Sequence, residues 1–318
     1  MTLRTIETLA QKGFVQSTDN LEKVAAKYAV AITPAMADLI AKTTGHKGIH
    51  AQFVPTYLEL SAGTEEKTDP IGDTKHEVLP GLIHRYPDRV LLKVHHACPV
   101  YCRFCFRREM VGPQGQAMSP KDVAAAMDYL RARPLIREVI LTGGDPFMLS
   151  AKRAAALTEN LAAIPHIEIL RWHTRVPVVD PERVKPEFVR ALRTEGAAIF
   201  VGLHANHPDE FTPAACAALA RLADAGLVLI SQSVLLKGVN DDVDTLEKLM
   251  RAFLRNRVKP YYLHQMDPAP GTAHFTVPVE RGRELISQLR DRMTGLGVPA
   301  YVVDGPTGRK RHLDAEEM

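Results

Sequence analysis

Three cysteines fall within eight residues, Cys98, Cys102 and Cys105, in the spacing C-x3-C-x2-C. Thiolates are soft ligands that suit zinc and iron–sulfur clusters. A structural zinc site closes four ligands. The remaining cysteine, Cys216, lies far along the chain in a helical pattern, so His95 or His96 would have to complete such a site. A 4Fe–4S electron carrier spends four cysteines on each cluster. Three cysteines leave one iron open, which is useful only if a small molecule binds there. The expectation is therefore a 4Fe–4S cluster with an open iron, with a zinc site as the alternative.

Other reactive side chains recur at regular places. TGGDP spans residues 142–146, and His173, Arg175, His204, Gln232, His264 and Asp267 follow. They fall at or along the ends of short β-branched runs: Val90–Val94, Glu138–Leu141, Ile167–Trp172, Ala198–Leu203, Val228–Val234 and Lys259–Leu263. Helical patterns near 120–133, 150–163, 186–195, 212–225 and 242–255 separate these runs. Each helix follows one strand and precedes the next, which marks βα units and a parallel sheet. Six units point to an α/β fold, a barrel or partial (β/α)6 barrel of TIM-like type rather than a flat sheet, although alternation alone does not separate the two. Catalytic groups of such barrels sit beyond the C-terminal ends of the strands, and the reactive residues fall there in register. Gly143–Gly144 after the second strand is also what an ordinary tight turn requires.

Two regions flank this rhythm. Residues 1–62 form an N-terminal helical region, with helices expected at the N-terminus, over Leu21–Tyr28 and over Pro34–Lys42. The second region is 63–318, the barrel and its C-terminal segment. Residues 63–88 are polar and rich in Gly, Pro and Asp, which reads as a long loop that something must hold. A net charge of +3 with dispersed basic residues argues against a nucleic-acid surface. No apolar run nears the roughly 20 residues that span a membrane, and the N-terminus lacks the apolar stretch of a signal peptide. Together with clustered, unpaired cysteines, this places the expected site of action in the cytoplasm.

The cysteine spacing, with Phe104 before the last cysteine, resembles that of the radical S-adenosylmethionine enzymes. Longer matches narrow the resemblance to the lysine 2,3-aminomutase family. These are PGLIHRYPDRVLLKV (80–94), CFRRE (105–109), TGGDP, SQSVLLKGVND (231–241), KPYYLHQMD (259–267), GTAHF (271–275) and YVVDGPTG (301–308). They cover residues 65 to 310 in the same order. The family uses a 4Fe–4S cluster, S-adenosylmethionine and pyridoxal 5′-phosphate. An adenosyl radical takes hydrogen from the β-carbon of an amino acid held by the pyridoxal, and the nitrogen then migrates. An electron donor must reduce the cluster.

The resemblance implies roles residue by residue. Cys98, Cys102 and Cys105 hold the cluster. Gly143, Gly144 and Asp145 face the methionine part of S-adenosylmethionine, and His204 and Gln232 belong to the adenosyl pocket. Lys310 is the lysine that binds pyridoxal phosphate, with Lys237 and Lys259 as alternatives and a solvated basic tail 309–311 as the competing reading. Arg85 and Arg89 neutralise the cofactor's phosphate. Arg107 pairs with the substrate carboxylate, for which its planar fork is suited, while Arg108 reads as surface charge. Asp267 and Asp304 hold the ε-ammonium of a lysine substrate, since a buried cation needs opposite charge nearby.

The chain also departs from the family. The longer members carry a cysteine-containing C-terminal extension that binds zinc between subunits, and here no cysteine follows Cys216. Asp242 stands where another zinc cysteine would be, and His264 replaces a tyrosine. The expectation is no zinc and a looser or different homo-oligomer. The short form resembles bacterial versions that make β-lysine for elongation factor P. The implied activity is an isomerase interconverting L-lysine and β-lysine. The alternatives are a 2,3-aminomutase for arginine or ornithine, and a non-catalytic iron–sulfur protein with Lys310 idle.

Overall fold

The computed structural model describes residues 1–16, 19–43, 47–61, 63, 65–112, 115–305 and 310–314. One sheet dominates, with ten strands arranged in sequence order. The strands are β1 (Glu77–Leu79), β2 (Leu82–Tyr86), β3 (Arg89–His95), β4 (Glu138–Gly143), β5 (Ile169–Thr174), β6 (Ala198–His204), β7 (Val228–Leu235), β8 (Val258–Gln265), β9 (Ala300–Asp304) and β10 (Lys310–His312). Strands β3 to β9 run parallel, while β1–β2–β3 and β9–β10 pair antiparallel. The result is a partial barrel whose two edge strands do not pair with each other. A side chain reaches across the opening instead: the Lys310 amide on β10 donates to Tyr86 Oη on β2 at 2.7 Å.

The six strands expected from sequence are β3 to β8. Their central residues pair in register, Leu141 with Trp172, Trp172 with Val201, Val201 with Leu229 and Leu229 with Val258. All five are buried or nearly so, as continuous apolar strands of a two-sided parallel sheet should be. The crossover helices begin at recognisable caps. Ser119, Ser150, Thr212 and Asp242 each accept from the backbone N–H three residues on, satisfying a donor that the helix start leaves open. These caps open α5 (Pro120–Arg131), α6 (Ala151–Ala162), α9 (Pro213–Asp224) and α10 (Val243–Arg255). The short α7 (Val176–Val179) and α8 (Pro186–Ala191) fill the β5–β6 crossover, and α11 (Val279–Arg292) precedes β9.

One expectation changes. The stretch 63–88 is not a loop throughout, because its second half is the β1–β2 hairpin. That hairpin is a sheet edge, and β1 is largely exposed, so no apolar alternation announces it. The six βα units stand as expected, with α11 closing the sixth after β8, and β9 adds one more parallel strand.

The N-terminal helices are α1 (Ile6–Gln11), α2 (Asp19–Lys27), α3 (Pro34–Lys42) and α4 (Lys47–Phe53). Ile6, Leu9, Ile32, Met36 and Phe53 are buried in the same apolar cluster as the barrel residues Val178 and Val179. Thr33 Oγ1 donates to Val179 O at 2.5 Å. No described helix is long and apolar enough to cross a membrane.

Candidate active site

A cavity of about 480 Å³ opens at the C-terminal ends of the parallel strands, and the three cysteines of the loop after β3 line it. That loop returns to the sheet through the His95–Ala117 bridge. Its conformation is fixed from behind. Glu59, fully buried, takes Arg103 through Nε at 2.9 Å and also pairs with Arg108, and both guanidiniums are fully buried too. Arg103 Nη1 donates to Ala29 O at 2.7 Å, and Arg108 Nη1 reaches Pro270 O and Gly271 O at 3.1 Å. Arg108 is thus a buried structural cation, not surface charge. Its partner Glu59 lies far back in sequence and carried no signal of its own.

The thiols sit in low-dielectric surroundings. Burial pushes the Cys98 thiol well up, with the charges of Asp145, Cys105 and Cys102 adding to it. Burial and then the Cys102 charge raise Cys105 to about 11. Cys102 is also raised by burial, against the pull of Arg175, whose Nη1 donates to Cys102 Sγ at 3.0 Å. Three half-buried thiols that disfavour one another's ionisation on one loop suit a cationic centre, which deprotonates a coordinating thiol outright. His95 Nδ1 accepts from the Ala97 amide at 2.8 Å, which occupies one of its two ring nitrogens within the loop.

The glycine pair is explained by close approach. Gly143 has φ +115°, and a Cβ there would lie 2.4 Å from His95 O. A Cβ on Gly144 would lie 2.4 Å from Ala97 O. Only glycines let the end of β4 press against the cysteine loop. Asp145 locks the same junction. Its two oxygens accept from Phe147 N, Thr174 Oγ1, Arg175 N and Val176 N at 2.7–3.2 Å, so its carboxylate serves the protein and fixes the end of β5. His204 and Gln232 are paired in register across β6 and β7. Burial holds the pKa of the His204 imidazole well below its ordinary value. Its buried Nε2 has no partner among the described residues, a nitrogen left for a bound ligand to satisfy.

Two groups of charge face the cavity. In the first, Arg85 Nη2 meets Asp73 Oδ1 at 2.8 Å, and Arg107 meets Asp73 Oδ2 through Nη2 at 2.9 Å and Nε at 3.1 Å. Arg89 lies over the Tyr86 ring at 3.7 Å and bonds Asp88 at 2.9 Å. In the second, Lys310 Nζ donates to Asp304 Oδ2 at 2.9 Å and sits 5.4 Å from the Tyr262 ring centroid. Asp267 joins them. Burial first, then the Asp304 charge, push its carboxyl up to about 7, against the pull of Lys310, Arg107 and Arg85. His264 Nδ1 lies 4.0 Å from Asp304 Oδ2, and its buried Nε2 has no partner among the described residues.

Of the three lysines that sequence offered, Lys310 lines the cavity, while Lys237 and Lys259 do not. Lys259 Nζ instead bonds the Pro260 and Leu296 carbonyls at 2.8 and 2.7 Å. Residues 306–309, which precede Lys310, lie outside the described residues. Asp73, Glu59 and Tyr86 are the site residues that sequence reading missed. The only signal for the first two was an excess of arginine around the cysteines, Arg103, Arg107 and Arg108 against the single acid Glu109.

Comparison with known proteins follows the same lines. A family model described as the Radical SAM superfamily matches residues 92–250. The L-lysine 2,3-aminomutase of Fusobacterium nucleatum is 39% identical over 293 residues, covering 92% of this chain and 69% of that protein. A glutamate 2,3-aminomutase of Clostridioides difficile is 34% identical over 307 residues, 96% of this chain and 71% of that protein. Among solved structures, Streptococcus suis SuiB bound to S-adenosylmethionine aligns with a TM-score of 0.52 at 14% identity, covering 73% of this chain and 52% of that one. That last likeness is one of fold.

Proposed function

The chain belongs to the lysine 2,3-aminomutase family of the radical SAM superfamily, and on that premise we propose that it interconverts L-lysine and β-lysine by 2,3-amino migration. Family likeness alone does not choose the substrate, since a relative named for glutamate matches as well over most of the chain. The observation that carries the choice is the charge of the two groups facing the cavity. Asp267 and Asp304 set two carboxylates against one ammonium, and Arg85 and Arg107 set two guanidiniums against Asp73. The carboxylate pair lacks a cation, and Arg107, held on Asp73 through Nε and Nη2, has no acceptor for Nη1 among the described residues. A basic amino acid supplies both, through its side-chain ammonium and its α-carboxylate. An acidic side chain against Asp267 and Asp304 would add buried like charge, which costs several kcal/mol.

In this reading Cys98, Cys102 and Cys105 hold a 4Fe–4S cluster, and Gly143, Gly144, His204 and Gln232 line the place of S-adenosylmethionine. Asp145 keeps the β4 and β5 ends in position behind them. Lys310 anchors pyridoxal phosphate, with Arg85 and Arg89 near its phosphate. When bound, the cluster and S-adenosylmethionine supply a carbon radical that can take hydrogen from an unactivated carbon, and pyridoxal phosphate supplies the π-system that spreads the unpaired electron. The protein's own part is placement and charge. Arg107 offers Nη1 to the substrate carboxylate while its other edge stays on Asp73. Asp267 and Asp304 take the side-chain ammonium at a fixed distance from that carboxylate. Their separation measures the length of the substrate and holds its β-carbon in one position.

The same reading places the enzyme in the cytoplasm with a small one-electron donor, without zinc, and as a homo-oligomer of looser kind than the zinc-linked relatives. The deciding experiment is anaerobic incubation of reconstituted enzyme with reductant, S-adenosylmethionine, pyridoxal phosphate and, separately, lysine, ornithine, arginine and glutamate. β-Lysine from lysine alone is the expected product. Turnover of ornithine or arginine in preference would move the substrate assignment. Turnover of glutamate, or of none of the four, would overturn the reading.

A further inference from the structure

Asp73 stands apart from the other charged residues of the site. The two arginines it holds line the cavity, and Asp73 itself does not. Its side chain is 3% exposed, against 4% for Arg85 and 11% for Arg107. It is presented by a built turn. Asp69 accepts the amides of Asp73 at 2.8 Å and Thr74 at 2.9 Å, Gly72 takes φ +71°, and buried Ile71 anchors the turn at the cavity wall. The carboxylate then divides its oxygens, Oδ1 to Arg85 on β2 and Oδ2 to the Nε–Nη2 edge of Arg107. Arg107 Nη1 is left without a partner among the described residues.

We propose that Asp73 is the positioning residue of the carboxylate subsite, fixing both where Arg107 points and how strongly it draws an anion. This rests on the aminomutase reading, in which Arg107 receives the substrate carboxylate. Two effects follow from the geometry, and they oppose each other. By gripping one edge of the guanidinium, Asp73 holds Nη1 toward the substrate and ties Arg107 to Arg85, so the substrate carboxylate and the cofactor phosphate are placed relative to one another. By adding a negative charge 2.9 Å from Nη2, it also weakens the attraction of Arg107 for that carboxylate. Binding is surrendered for alignment, and only alignment raises the rate of the chemical step. A counter-ion that merely balanced two arginines would show neither signature.

The test uses reconstituted holoenzyme with D73N and D73E. Affinities for lysine and for lysinamide, which lacks the carboxylate, are read from the pyridoxal absorbance change. D73N is expected to raise the lysine-to-lysinamide affinity ratio at least threefold, while kcat per cluster falls at least tenfold at unchanged iron content. D73E keeps the charge and moves it by one methylene, so its affinity ratio should stay within twofold of wild type while kcat still falls at least fivefold. An unchanged or lower ratio in D73N, or kcat per cluster within twofold of wild type in both variants, would overturn the proposal. Wild-type protein that binds pyridoxal phosphate and lysine but turns over no lysine would sink the aminomutase reading instead. The affinity ratio would then still decide the role of Asp73.

Discussion

Lys310 Nζ and Asp304 Oδ2 lie 2.9 Å apart across the β9–β10 pair, close enough to Asp267 for both charges to bear on its carboxyl. On the proposed reading, Lys310 holds its ammonium where the substrate's is to go. Engagement of Lys310 by pyridoxal phosphate would then free Asp304 for a second ammonium, so that anchoring of the cofactor and selection of a cationic substrate would be linked through one carboxylate.

The link separates two variants. K310A should lose covalent pyridoxal uptake, read as loss of the borohydride-trapped adduct, along with turnover. D304N should keep the adduct and lose lysine turnover by roughly 100-fold or more, the scale on which positioned polar groups act in catalysis. D304N enzyme that handles lysine normally would remove Asp304 from the substrate site.

Asp267 gives the ligand-free protein a pH signature. Burial and then the Asp304 charge push its carboxyl up to about 7 in the folded protein, from an ordinary 3.8. Between these values the folded state holds a proton that the unfolded state has released, so stability falls as pH rises through that window. Each pH unit crossed costs about 1.4 kcal/mol for a fully coupled group. D267N cannot ionise and escapes the penalty. Thermal melts of ligand-free protein at pH 5 and pH 8 should therefore show D267N gaining several degrees on wild type at the higher pH, at roughly 2–4 °C per kcal/mol. A parallel response of the two proteins would show that Asp267 titrates normally.

Glu59 carries the cysteine loop. Removing its charge leaves Arg103 and Arg108 buried without a counter-ion, a loss of about 3–5 kcal/mol. E59Q should lower the melting temperature and the iron content of reconstituted protein together. Full iron loading with an unchanged melt would show that the loop is held by its backbone bonds alone.

Gly144 tests the close approach of β4 and the cysteine loop. A methyl group there meets Ala97 O at 2.4 Å, so the backbone must move, at a cost of about 1–3 kcal/mol. G144A is expected to fold but to bind S-adenosylmethionine at least tenfold more weakly, measured by calorimetry on reconstituted enzyme. Unaltered affinity would mean that the loop absorbs the displacement.

The sequence by itself determined what depends on neighbours along the chain. Cluster ligation is written in a spacing of seven residues, Cys98 to Cys105. The strands β3 to β8 are written in continuous apolar runs, and the helices between them in caps such as Ser119 and Asp242. Tertiary structure decided what depends on neighbours in space. Sequence chose Lys310 over Lys237 and Lys259 through resemblance alone, because its place in the cavity depends on the pairing of β10 with β9, which brings Lys310 to Asp304 and Tyr86. It read Arg108 as surface charge, because the acid that buries it, Glu59, is 49 residues away. It read residues 63–88 as a loop, because an exposed edge hairpin needs no apolar face and Asp73 has no partner until Arg85 and Arg107 are folded against it. Buried charge is a property of pairs, and the partner of a pair is chosen by the fold.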